Sequence, residues 1–403
     1  MAKEEKKAPK LRFNGYTNDW ERKKLGDVAE NLSYGLNLPS TNYDGNNIYL
    51  RITDIDDESH TLNRDNLTSP NLGKFDKNIL DYKLTENDVV FARTGASVGK
   101  TYVYTPTDGN IYFAGFLVRA KFKSSILANF VFYTTLTSKY LNYVKVTSQR
   151  SGQPGVNAKE YGNFAISITD STEQFSIISL LKKLDGTINL HEDYLQFLHD
   201  FKSFLLQKMF FDNDIPPLLR FNKFIEKWNQ CRLNDHAIVT MGQSPNSKNY
   251  TNNQTDKILV QGNADLYKNK VLKRVFTTEI TKTAIKNDIL ISVRAPVGDI
   301  ARNQYESVVI GRGIASIKGN DFLYYQLEKM KNSGFWNKYI AGSTFESITG
   351  KDLKNAKIYT TNSDEERKIG NIFSSLTNII QLQEHKIDSL KKLKQFLLQN
   401  MFI

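Results

Sequence analysis

Two stretches of this 403-residue chain, 173–210 and 365–402, align without a gap at an offset of 192 and share 14 identities in 38 positions. Their endings, FLLQKMF and FLLQNMF, differ at one place. A self-similarity of this length sets the organisation of the whole molecule before any local prediction. Ile177, Leu181, Leu184, Ile188, Leu195 and Leu198 follow alternating steps of four and three with one place skipped, and Ile369, Phe373, Leu376, Ile380, Ile387 and Leu390 do the same. That is the spacing of a coiled-coil seam. Neither stretch contains proline, and at 1.5 Å per residue each predicts a helix of about 55 Å. Asp170 or Ser171 is placed to cap the first helix and Ser363 or Asp364 the second, with acids in the first turn of each. Gly186 is a weak point, worth about 1 kcal/mol in a helix interior. The skipped seam place is polar in both copies, His191 and Gln383. Two readings stay open for it: a buried polar layer that sets register and orientation, or an exposed seam edge.

The repeat continues outside the helices. LRFNGYTNDWERKKLGDVAE (11–30) resembles LRFNKFIEKWNQCRLNDHAI (219–238), NDVVFARTGASVGK (87–100) resembles NDILISVRAPVGD (287–299), and GVNAKEYGNFAI (155–166) resembles SITGKDLKNAKI (347–358). In the middle pair an Asn-Asp, alternating apolar residues, an Arg and a Val-Gly return in order. The chain is therefore two copies of one unit, a globular domain followed by a long helix. VVFAR, NIYFAGFLVRAKF and DILISVR carry strand patterns, whereas ANFVFYTTLTSKYLNYVK and NDFLYYQLEKMKNSGFWNKY are helical. The expectation is α+β. A short disordered tail covers 1–10, one domain 11–170, a spacer helix 171–212, a linker 213–218, a second domain 219–362 and a second spacer helix 363–403. Such a chain closes around a pseudo-two-fold axis if its helices pair antiparallel as a coiled coil.

Composition narrows the class. Lys and Arg number 54 against 43 Asp and Glu, a net charge of +11, and a basic surface attracts polyanions. One cysteine, Cys231, excludes an internal disulfide and any multi-cysteine zinc site. No apolar run approaches the roughly 18 residues of a membrane span, and the charged MAKEEKKAPK start lacks a signal-peptide core. The cytoplasm is the expected compartment. GASVGKT at 95–101 has three residues between Gly95 and Gly99 where a phosphate-binding loop needs four, and its repeat ends on Asp299 in place of the lysine. NDIPPLL at 213–219 lacks the flanking groups of an amino-methyltransferase motif. No His-Glu-x-x-His or nucleophile elbow occurs, and no metal or catalytic constellation is expected.

Two like domains on two like helices match the logic of DNA-binding dimers, in which protein symmetry mirrors two half-sites. Here one chain supplies both halves. The domains differ in loops and by about 16 residues, so the half-sites need not be alike.

The chain resembles the specificity subunit of a type I restriction–modification enzyme. The resemblance rests on the LRF near the start with a Trp after it, the domain–helix–domain–helix order, the GQSP turn at 242–245, the VGK and VGD turns at 98–100 and 297–299, and the paired FLLQxMF helix ends. The first copy departs from it with SYGL at 33–36. The resemblance implies two target-recognition domains on a bipartite double-stranded DNA target. It implies helices that space them and dock two methyltransferase subunits, which bring S-adenosylmethionine and methylate adenine. It further implies motor-nuclease subunits that use ATP and Mg, and no catalysis or cofactor in this chain itself. The rival reading is a coiled-coil scaffold whose two globular heads bind protein.

Arg and Lys suit guanine edges, Asn and Gln suit adenine, and loops on a rigid scaffold carry such groups. The DNA-binding candidates in the first domain are Arg93, Thr94, Ser97 and Lys100 on the turn after a strand, and Ser148, Gln149, Arg150 and Gln153 in TSQRSGQPG. In the second they are Gln243, Ser244, Arg294, Arg312, Ser343 and Thr344. Each is otherwise an ordinary loop residue or a phosphate contact. Tyr34, Tyr250 and Phe345 read as packing or groove-edge residues. For partner docking the candidates are Phe201, Phe204, Leu206, Met209 and Phe210 with Phe396, Leu398, Met401 and Phe402, unless these pack on the chain's own domains.

Overall fold

The computed structural model describes residues 7–71, 79–212, 215–339 and 346–403. The chain divides into two compact units: unit 1 is Met1–His191 with Lys386–Ile403, and unit 2 is Glu192–His385. Each unit holds one globular part and a stretch of each long helix.

The helices run Ser171–Met209 and Ser363–Asn400. Asp170 caps the first, its Oδ1 accepting from the backbone N–H of Thr172 and Glu173 at 3.0 Å each. The second is capped one residue earlier than expected, where Asn362 Oδ1 accepts from Asp364 N at 2.8 Å. Every seam residue from Ile177 to Leu198 and from Ile369 to Leu390 is buried or half-buried. Of the two polar seam positions, Gln383 is buried and His191 half-buried. In unit 1 the helical stretches run in opposite directions: Glu173 bonds Trp20, which packs edge-on against Phe402, while Asp185 further along pairs with Lys394 at 2.7 Å.

The globular part of unit 1 is built on an antiparallel sheet of Asn31–Tyr34, Leu117–Lys121, Asp88–Ala92 and Thr101–Val103 in that order. The central strand is buried along its whole length and splits by alternation. Val89 and Phe91 join the core shared with Ile177, Leu181 and Leu398. Val90 and Ala92 point into a second core with Ile48, Leu50 and Phe113. That second core is closed by the parallel pair Asn47–Leu50 and Asn110–Phe113.

Unit 2 repeats the plan. Ile238–Met241, Ile314–Lys318, Ile289–Ser292 and Ile300–Arg302 form the matching antiparallel sheet, and Lys257–Val260 pairs in parallel with Ser307–Ile310. Ile289 and Ile291 face the helix-side core, and Leu290 faces the other. Much of the length difference falls between the parallel strand and the central one. Leu50 to Asp88 spans 38 positions (88 − 50) and Val260 to Asp288 spans 28 (288 − 260).

Three expectations change. NIYFAGFLVRAKF is not one strand but two, broken by a turn in which Leu117 N donates to Ala114 O at 2.9 Å. Residues 7–10 are not a loose tail: Lys7 O accepts from Trp20 N at 2.7 Å and Pro9 is buried. The helix ends are not free docking surface, because Leu206, Met209 and Phe210 lie in the core of unit 2 and Leu398, Met401 and Phe402 in that of unit 1.

Candidate nucleic-acid interface

Each globular part is anchored to a helix start by the same four side chains. In unit 1 the Arg12 guanidinium donates to Glu173 through Nε at 2.6 Å and Nη2 at 2.8 Å, Trp20 Nε1 donates to the same carboxylate at 3.1 Å, and Thr169 Oγ1 donates to it as well. In unit 2 Arg220 donates to Glu365 twice at 2.8 Å, Trp228 Nε1 at 3.1 Å and Thr361 Oγ1 at 2.6 Å. Both carboxylates are fully buried. The bond to the carboxylate raises the pKa of Arg12 and of Arg220. Burial pushes Glu365 up, but the donors from Arg220, Thr361 and Trp228 outweigh it and hold it below the ordinary glutamate value. The LRF and Trp signals and the first-turn acids are thus halves of one clasp.

The clasp fixes a frame on which the candidate loops meet. In unit 1 the turn after Asp88–Ala92 lies against the loop that follows the helix Ser138–Thr147. Val156 N donates to Arg93 O at 2.9 Å, Gly95 N to Pro154 O at 3.1 Å, and Thr94 bridges to Gly155. The candidates of two distant segments, Arg93, Thr94 and Gln153 among them, therefore form one rim. Tyr34 belongs to it: the Arg93 guanidinium sits 4.9 Å from its ring centroid, and its hydroxyl accepts from Ala158 N at 3.1 Å.

Some candidates in this rim are engaged within the unit. Lys100 donates to Ile55 O at 2.7 Å and Asp57 Oδ1 at 2.6 Å and is nearly buried, so its charge is directed inward. Ser148 is buried at the end of its helix. Arg150 pairs with Glu160 at 2.5 Å and also donates to Thr147 O. Ser97 is half-buried, its carbonyl accepting from Lys100 N at 3.0 Å. Gln149 and Gln153 are exposed.

Unit 2 builds the same rim by the same backbone bonds. Ile348 N donates to Val293 O at 3.0 Å, Ala295 N to Glu346 O at 2.9 Å, and Arg294 bridges to Ser347. Val293 N donates to Gly313 O at 2.9 Å, bringing Arg294 beside Arg312, and Arg312 N donates to Ser244 Oγ at 3.1 Å. Gln243 N donates to Ile310 O at 2.8 Å. The fit is tight: a Cβ at Gly242 would stand 2.1 Å from Gly311 O, and one at Gly313 2.2 Å from Gln261 O. The rim thus joins Gln243, Ser244, Arg294 and Arg312. Ser343 and Thr344 lie outside the described residues, as does Phe345.

The bonds also fix which residues of the two rims correspond. Arg93 N donates to Phe116 O at 3.0 Å as Val293 N does to Gly313 O. Arg93 is therefore the counterpart of Val293, and Arg294 that of Thr94. By the same matching, Leu36 N to Phe113 O and Gln243 N to Ile310 O make Gly115 the counterpart of Arg312. A one-residue slip in an extended segment reverses the face a side chain occupies, so the two arginines are not copies of one another.

A second surface was partly visible in sequence. Phe201 and Phe204 are exposed, and Phe201 makes an aromatic ladder with Tyr194 and Phe197 in unit 2: Tyr194 and Phe197 stack at 6.4 Å, Phe197 and Phe201 at 6.0 Å. The counterparts in unit 1, at the offset of 192, are Lys386, Ser389, Leu393 and the exposed Phe396. Tyr194 and Phe197 carry the same three-and-four spacing as the seam, one face over, and that spacing was the available signal.

Among the described residues no group of three or more His, Cys, Asp or Glu is placed to hold a metal, and no helix is long and apolar enough to cross a membrane.

Comparison with known proteins agrees with this duplicated plan. The family described as type I restriction modification DNA specificity domain matches twice, over residues 17–198 and 225–392. A protein of Methanocaldococcus jannaschii, provisionally named the MjaX type I restriction enzyme specificity subunit, is 26% identical over 401 residues, covering 94% of this chain and 91% of its own. In the same organism the MjaVIII specificity subunit is 19% identical over 333 residues, 77% of each chain. Among solved structures, the S subunit of a type I restriction–modification system from M. genitalium superposes with a TM-score of 0.63 at 16% identity, covering 98% of this chain and 99% of its own. A chain from work on complex assembly and conformational transition of a type I R-M system gives 0.59 at 21% identity, covering 94% and 96%. At these identities the superpositions speak for the fold.

Proposed function

Because the chain belongs to the type I restriction–modification DNA specificity family, we propose that it selects the DNA target of such a system, each unit contacting one half of a bipartite, asymmetric site. The observation that carries this reading is the duplicated rim, which keeps one set of backbone bonds in both units while its side chains differ. A common frame with different contact groups is what two unlike half-sites require. Phosphate contacts position a protein, and base contacts give it sequence.

In this reading the chain performs no chemistry. Adenine methylation belongs to two partner methyltransferase subunits carrying S-adenosylmethionine, and cleavage to motor-nuclease subunits using ATP and Mg. The exposed aromatic ladder on the first helix and Phe396 on the second are the docking surfaces for the former. A similar chain from work on complex assembly of a type I R-M system supports assembly into such a complex. Mapping methylated adenines across the genome of a host carrying the complete system tests the reading directly. A split motif with unlike halves is expected. A continuous or palindromic motif, or no methylation that depends on this chain, would reject it.

A further inference from the structure

The chain has fourteen arginines, and all lie among the described residues. Backbone bonds apart, every one but Arg294 and Arg312 has an ion-pair, hydrogen-bond, aromatic or other electrostatic partner there. The two exceptions are both exposed and flank one backbone hydrogen bond, Val293 N to Gly313 O, on the rim of unit 2. The backbone beneath them is closely packed, since Gly242 and Gly313 leave no room for a side chain and a Cβ at Gly311 would crowd Gln261 and Ser244 at 3.2 Å. Two exposed arginines on either side of one backbone bond, with no counter-charge among the described residues, leave their charge available to an electron-rich surface.

That surface is either a phosphate or a base edge, and the comparison of units decides between them. The phosphate backbone is the same in every half-site, so a phosphate clamp is needed equally by both units. The positions matching Arg294 and Arg312 in unit 1 are Thr94 and Gly115, and the nearby Arg93 is held over the Tyr34 ring. Arginine at two backbone places on one rim and at neither matching place on the other suits base reading, which differs between half-sites, better than a phosphate clamp common to both. Guanine offers O6 and N7 as paired acceptors that match the guanidinium fork, and it is the base arginine reads most often.

We propose that Arg294 and Arg312 determine specificity by reading guanine in the half-site of unit 2, and that the half-site of unit 1 is read without an equivalent arginine. This rests on the DNA-selection reading above. The test is selection from a randomised duplex library by the complex recovered from its host through a tag on the full chain. It is done for wild type, Arg294→Ala, Arg312→Ala and Arg294→Lys. Wild type is expected to fix at least one G·C pair in one half. Each alanine variant should relax one such pair by on the order of tenfold to a hundredfold and leave the other half untouched. Arg294→Lys keeps the charge but not the fork, so it should lose discrimination while holding affinity. If the variants weaken all sequences alike and lower the salt slope by about one, the arginines are phosphate contacts and the proposal is wrong. Relaxation at an A·T pair, or no change, overturns it equally. If wild type itself selects no sequence, the DNA-selection reading falls first and the proposal with it.

Discussion

The clasp and the rim sit in the same units and have diverged to opposite degrees. Arg12, Trp20, Thr169 and Glu173 are matched group for group by Arg220, Trp228, Thr361 and Glu365. On the rims the backbone bonds coincide but Arg294 stands where Thr94 does, and Arg312 where Gly115 does. The physical difference is burial. A carboxylate with no access to water must have all its donors present, so no single member of the clasp can change alone. A rim side chain in solvent answers only to what it contacts outside the chain.

The largest effect should come from breaking the clasp. Removing one member of a buried pair costs about 3–5 kcal/mol, because the other charge is left without compensation. Glu173→Ala and Glu365→Ala are each expected to lower stability by that amount in urea or thermal unfolding. A loss under about 1 kcal/mol in either would show that the two clasps are not equivalent in strength. Acid should act in the same direction but less. Glu365 is held below its ordinary value, so its contribution is fully present above the ordinary glutamate range and is lost as pH falls through the depressed value. The stability gap between wild type and Glu365→Gln should therefore narrow on acidification. A gap that stays constant from neutral pH to strong acid would mean the charge contributes nothing.

How far the sequence foretold these regions follows from the same contrast. The seam was legible because burial repeats with helical period, and every residue from Ile177 to Leu198 that the spacing selected is at least half-buried. The duplicated α+β plan was legible for the same reason. The clasp was seen only in pieces. Glu173 and Glu365 read as first-turn acids, since spacing along the chain says nothing about an arginine 161 or 145 positions away. The rim was found, but the order of its motifs did not fix which residues correspond. An Arg recurs in order in both copies, but the hydrogen bonds pair Arg93 with Val293 and place Arg294 one position on. Lys100 and Arg150 looked free because their partners, Asp57 and Glu160, are brought near only by folding.

A smaller effect separates the two helix starts. Asp170 accepts two backbone N–H bonds through its side chain at the start of the first helix, and Asn362 accepts one at the start of the second. A cap is worth about 1 kcal/mol. Asp170→Ala is expected to cost somewhat more than Asn362→Ala, both near that figure in the same unfolding assay. The reverse order would show that the count of capping bonds does not set the strength.

The smallest change is expected where the helices, like the rims, have diverged in solvent. Phe197 stacks between Tyr194 and Phe201, and its counterpart in the repeat is Ser389. Thirteen positions further on, Phe210 packs against Phe373 and Phe322 in the core. Truncating a buried phenylalanine costs about 3–5 kcal/mol, and Phe210→Ala should show it. Exposed pairs three or four residues apart on a helix contribute about 0.2–0.5 kcal/mol each, so Phe197→Ser should cost no more than about 1 kcal/mol. If Phe197→Ser approaches the cost of Phe210→Ala, the ladder is part of the fold, and its absence from the second helix would need a structural compensation there. If the cost stays small, the ladder contributes little to the fold and stays available for the docking proposed above.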